Sequence, residues 1–248
     1  MDRANKVAQI TVFFWLMKVV ATTLGETLGD FLSMTIGLGY LTGLLLTFGF
    51  FLLALLMQVS SGRYIPAFFW LAIIATTTLG TEVSDFIDRS LHLGYVGGSL
   101  LLVTCLGAVF LLWFKNFGSL GVYPVVDKKR ELFYWMAILL SNSLGTAFGD
   151  FLSDVIGLSY LTGALVTAGI IVLVLLLHYL TKLNTTLLFW VAFVFTRPFG
   201  ATFGDFLTKP TGKGGLELGT AQASVIALAL MAAMVIFVPQ KGAKEVGS

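Results

Sequence analysis

Lys18, Thr22, Glu26 and Asp30 follow one another at steps of four in an otherwise apolar stretch of the chain. Residues four apart share one helix face, each step about 6 Å further along the axis. Three more stretches carry such a stripe: Ile73, Thr77, Thr81, Asp85; Ile138, Asn142, Thr146, Asp150; and Phe193, Arg197, Ala201, Asp205. Each stripe ends in an aspartate. Carboxylates, hydroxyls and an amide are oxygen donors, which suit hard cations such as Mg²⁺, Ca²⁺ or Mn²⁺. Asp30, Asp85, Asp150 and Asp205 are the candidate metal ligands, with Glu26, Glu82, Thr22, Thr77 and Asn142 as further ion-binding candidates. No Cys, His or Met belongs to the stripes, which argues against a dedicated copper or zinc site. Close acids, Glu26 with Asp30 and Glu82 with Asp85, favour sharing a proton. Lys18 and Arg197 fit internal counter-charges, ion-paired to Glu26 and Asp205, or attractants for an anion.

These stripes need helices that cross a membrane. Of 248 residues, 57% are hydrophobic and only 11% charged, where a soluble domain carries about 25% charged residues. Apolar runs of about 20 residues without dyad alternation predict membrane helices, not a barrel. Eight spans are predicted, at 8–32, 38–59, 65–87, 93–114, 131–153, 157–180, 185–207 and 217–238. The first is too long and too charged for a removable signal peptide and lacks a small-residue cleavage site. Cys105 is the single cysteine, so no intramolecular disulfide forms. A net charge of +2 with no basic aromatic patch argues against nucleic acid. An ionised group at mid-bilayer costs about 2.5–3.5 kcal/mol, so the stripes are expected to face the bundle interior or a hydrated cavity.

The spans are repeated. Trp15, Trp70, Trp135 and Trp190 are each followed ten residues later by Gly25, Gly80, Gly145 and Gly200, and fifteen later by the four aspartates. The tryptophans are spaced 55, 65 and 55, so a period of 120 also holds. Each repeat contains two spans, so all four enter the membrane in the same sense. Gly25 and Gly29, Gly145 and Gly149, and Gly200 and Gly204 are GxxxG pairs, with Gly80 and Ser84 as the small-residue equivalent. Such pairs let helices approach closely, within one chain or between protomers, so a homo-oligomer stays open. The odd spans are expected inside and the nearly uncharged even spans around them. The tryptophans, each preceded by Phe or Tyr, are expected to anchor at the membrane interface. His92, His178, Asp88 and Asp154 read as loop or solvated edge residues. On the side of the termini lie Arg3, Lys6, Arg63, Lys115, Lys128, Lys129, Arg130, Lys182, Lys241 and Lys244, against Arg89, Lys209 and Lys213 opposite. The positive-inside rule then places both termini in the cytoplasm.

The pattern aromatic-Trp, then Gly-x-x-x-small-Asp-Phe, in four copies of two spans, resembles a family of bacterial membrane proteins built from four tandem repeats of unknown function. The likeness covers nearly the whole chain, departing after Asp205, where "TKPTGKGG" replaces the Gly-Leu-x-Tyr turn. It implies an architecture and a bacterial cell membrane, but no activity. The expected fold is all-α and polytopic: eight transmembrane helices as four parallel repeats with internal pseudo-symmetry, in two halves, 1–120 and 121–248. The expected function is transport of a small cation, a hard divalent metal or a proton-coupled ion, through a carboxylate-lined centre. The alternatives are a cation channel with an aspartate ring and a non-transporting structural protein. No phosphate-binding loop, Ser-His pair or HExxH motif is present, so neither an enzyme nor a cofactor is expected. The expected partners are the lipid bilayer and the transported cation or proton.

Overall fold

The computed structural model describes residues 5–123, 125–240 and 242; Arg3, Lys241 and Lys244 of the charge count lie outside them. The described residues form eight long helices: α1 (Val12–Asp30), α2 (Tyr40–Ser60), α3 (Pro66–Asp85), α4 (Gly94–Phe117), α5 (Lys128–Asp150), α6 (Tyr160–Leu180), α7 (Thr185–Thr208) and α8 (Thr220–Phe237). All eight are long and apolar enough to cross a bilayer. The chain is a polytopic all-α membrane protein. Local chemistry sets several starts. Thr11, Asp127 and Asn184 accept backbone N–H groups at the heads of α1, α5 and α7, and Pro66 occupies the first turn of α3.

The first three odd helices run past their aspartates into single π-helical turns, Phe31–Thr35, Phe86–Ser90 and Phe151–Val155. The predicted spans end inside these turns, at 32, 87 and 153, because a wider i→i+5 turn has no signature in hydropathy. The fourth repeat departs, as its sequence does. There α7 ends at Thr208, Pro210 stops the helix, and Leu216 and Leu218 return backbone bonds to Phe206 and Leu207.

The odd helices form a closed ring: α1 packs on α3, α3 on α5, α5 on α7 and α7 on α1. The glycines make it tight. A methyl group on Gly25 would come within 2.5 Å of Thr77, one on Gly80 within 3.0 Å of Asn142, and one on Gly145 within 2.5 Å of Arg197. One on Gly200 would collide with Thr22, which closes the cycle. Each even helix covers the odd helix of the next repeat: α2 on α3, α4 on α5, α6 on α7 and α8 on α1. Leu45, Leu53, Leu56, Leu100, Leu165 and Val225 point outward from these helices, as lipid contact requires.

Three of the four tryptophans expected to be interface anchors lie inside the protein, while Trp15 is half-buried. Trp70, Trp135 and Trp190 are buried, and they join Phe14, Phe69, Tyr134 and Phe189 in a collar around the ring axis. Phe14 meets Phe69 and Phe189 at 6.4 Å each, Phe69 meets Trp135 at 5.7 Å, and Tyr134 meets Trp190 at 6.4 Å. The indole N–H groups of Trp70 and Trp190 find partners inside the protein, Gln240 and the Leu120 carbonyl, whereas that of Trp135 has none among the described residues.

Residues from both termini close over this collar. Ala8 pairs with Gly242, and Asn5 and Lys6 bond to Val125 in the loop between α4 and α5. The Tyr123 hydroxyl donates to the Ala8 carbonyl at 2.7 Å, and burial holds its phenol above the ordinary value, so it stays a donor. Beneath them Lys6 meets Glu131 at 2.5 Å, and Gln58 donates to Glu131 at 3.2 Å.

Candidate functional site

Because Gly, Ser or Thr lines every ring contact, the four stripes face one another across a narrow axis, and all sixteen of their residues are buried. From the terminal end outward they stack in layers. Lys18, Ile73, Ile138 and Phe193 lie above the aromatic collar. Thr22, Thr77, Asn142 and Arg197 follow, then Glu26, Thr81, Thr146 and Ala201, and last the aspartates.

The middle layers are cross-linked. Arg197 Nη2 donates to Glu26 Oε2 at 2.7 Å and lies 2.6 Å from Thr81 Oγ1. Lys18 sits 3.6 Å from the centroid of the Phe193 ring and donates to Asn142 Oδ1 at 3.4 Å. The expected pairs Lys18–Glu26 and Arg197–Asp205 are therefore replaced. Each expected pair lies two turns apart on one helix and needs help from another helix, and the closed ring instead brings partners on neighbouring helices nearer. Asn142 also donates to Thr76 at 3.2 Å. Thr22 gives its hydroxyl to the Val19 carbonyl of its own helix at 2.9 Å and reaches the Thr196 carbonyl of α7 at 3.5 Å, and Thr77 gives its hydroxyl to the Ala21 carbonyl of α1 at 3.0 Å, so both serve the helix seams.

The aspartate layer is charge-paired in a twofold pattern. Arg89 bridges Asp85 and Asp150, each at 3.3 Å. Lys209 bridges Asp30 at 2.6 Å and Asp205 at 3.3 Å. Sequence reasoning missed both cations, placing them in outer loops and weighing the acids against Lys18 and Arg197 alone. The signal was present: each stands four residues after its aspartate, and the two are 120 apart. Burial alone would lower the basicity of Lys209, but Asp205 and then Asp30 outweigh it and hold the ammonium well above its ordinary value. Lys209 is therefore a permanent cation.

A cavity of about 170 Å³ lies at this end, lined by Glu26, Asp30, Asp150, Asp205, Arg89 and Lys209 among others. Glu26, Asp30 and Asp205 offer oxygens that all lie within 4.8 Å of one another. Hard cations bind oxygen at about 2.0–2.6 Å, so opposed ligands around one ion span about the separation found here. Among the described residues, no His or Cys lines the cavity.

Two expected positions differ. Glu82 points away from the axis, toward Gly43 of α2, because its one-residue offset from the stripe turns it about 100° around the helix. Asp88 is buried and takes the Ser84 hydroxyl at 3.2 Å, since the π-helical turn folds it back under α4; it is not a solvated edge charge. Asp154 is exposed, as expected, and accepts from Tyr95 at 2.8 Å.

No curated protein and no solved structure matches the chain. The family described as Repeat of Unknown Function (DUF347) matches residues 13–64, 68–116, 133–184 and 188–238, one match for each two-helix repeat, and the chain belongs to that family.

Proposed function

We propose that the protein transports a small hard cation, which Glu26, Asp30 and Asp205 bind at the floor of the cavity. The observation that carries this reading is the three-carboxylate cluster with the Lys209 ammonium lodged against two of its members. Lys209 is the built-in counter-charge: it occupies the acids while the site is empty and swings aside when a cation takes its place. Arg197 performs the second duty, holding Glu26 in position from below. The aromatic collar blocks the axis at the terminal end, which supports a gated carrier over an open pore. With the positive-inside rule placing the termini in the cytoplasm of a bacterial cell, the cavity faces outward.

The test is purified protein in liposomes with Mn²⁺-, Mg²⁺- and pH-sensitive dyes inside. Losing one charge-assisted ligand costs about 1.5–3 kcal/mol, so Asp30→Asn and Asp205→Asn should each weaken cation uptake roughly ten- to hundredfold. Uptake equal to wild type in both variants would remove the site. Single-channel currents would replace the carrier with a channel.

A further inference from the structure

Glu82 is the acid that the central network leaves out. It is fully buried, and neither carboxylate oxygen has a hydrogen-bond partner among the described residues. It is wedged into the seam between α3 and α2, where a methyl group on Gly43 would lie 2.6 Å from Oε2. The hydroxyls nearby are already committed. Ser33 lies beside the carboxyl but donates to the Gly29 carbonyl at 2.9 Å, and Thr47 donates to the Gly43 carbonyl at 2.8 Å.

Among the described residues, no cation compensates it. The charged groups facing it from α1 are Glu26 and Asp30, and from α3 itself Asp85. Those acids hold Arg197, Lys209 and Arg89 on the axis side. From Tyr40 to Ser60, α2 contains no Asp, Glu, Lys or Arg. A buried ion without a partner costs several kcal/mol. Packing does not require a glutamate here either. The other repeats place Thr27, Ala147 and Thr202 at this register; Thr27 accepts from Ser224 of α8 at 2.9 Å, and Thr202 donates to the Pro198 carbonyl at 2.9 Å.

We propose that Glu82 is a proton-binding site that couples protonation to the closure of α2 on α3. The carboxyl keeps its proton while the seam is shut and gives it to entering water when the helices part; the ionised side chain holds the seam open until a proton returns. The next residue, Thr81, contacts Arg197 and lies 3.4 Å from Glu26 Oε2, so movement of α3 reaches the axis. Only this last link, from proton to transport, rests on the carrier reading above.

Infrared spectroscopy and thermal unfolding across pH, on protein in lipid, test the site without any transported ion. Wild type should show a protonated-carboxyl C=O band at neutral pH that Glu82→Gln lacks. A group protonated in the folded state stabilises at low pH and ceases to as pH rises. Wild type should therefore lose stability on alkalinisation, by an increment absent in Glu82→Gln. Glu82→Thr, the residue that two sister repeats carry, should match Glu82→Gln and guards against misfolding of the first variant. Absence of the band in wild type overturns the proposal whatever the variants do, as does a band or pH profile unchanged by both. In liposomes, Glu82→Gln should lose pH-driven uptake while keeping exchange of cation for cation. Failure of the Asp30 and Asp205 variants to alter uptake would leave the spectroscopic result standing.

Discussion

At Lys6 and Glu131 a single ion pair ties the N-terminal segment to the head of α5. Both side chains are buried, and the Lys6 ammonium also donates to the Val59 carbonyl at 2.9 Å. Glu131→Ala leaves a buried ammonium uncompensated and should cost about 3–5 kcal/mol, read as lowered thermal unfolding in detergent. Replacing both partners together, Lys6→Met with Glu131→Leu, should recover most of that loss, because neither charge is then stranded. This pair was invisible in the sequence: Lys6 counted only toward the charge bias, and Glu131 had no repeat-register partner. The aspartates were legible because four copies repeat them fifteen residues after a tryptophan. Arg89 and Lys209 were legible in principle, through the 120-residue period, but loop position masked them.

Helices α1, α3, α5 and α7 depend on glycine where they touch, whereas α2, α4 and α6 carry glycines that face open space. Nothing lies within 4 Å of a methyl group added to Gly49, Gly107 or Gly169. Alanine at those three positions should be neutral or stabilise by up to about 0.5–1 kcal/mol each, since it restricts the unfolded chain. Alanine at Gly145 must push α5 off the stem of Arg197 and should cost about 1–3 kcal/mol. Comparing unfolding temperatures of the two sets checks the layering directly; equal effects would contradict it. The GxxxG spacing announced tight packing but not its partner. Which even helix shields which odd helix had no sequence signal, because the lipid-facing residues of α2, α4, α6 and α8 are interchangeable leucines and valines.

Across the whole molecule, the charges form a graded column, with acids toward the cavity and cations both below and above them. If Lys209 is the internal competitor for the bound ion, Lys209→Gln should bind Mn²⁺ or Mg²⁺ roughly tenfold tighter and turn over more slowly, measured as lower half-saturation and lower maximal uptake. Because its ammonium stays charged throughout the ordinary pH range, wild-type binding should show no step from Lys209 itself. The closure of α7 on α1 has a further consequence, for biosynthesis. Glu26 and Asp30 enter the bilayer with the first helix, yet Arg197 and Lys209 follow them by 171 and 179 residues. At about 5–20 residues per second, Arg197 and Lys209 are made roughly nine to thirty-six seconds after α1. A chain truncated before α7 would lack both of these partners for the first helix, and should be less stable in the bilayer than the full chain.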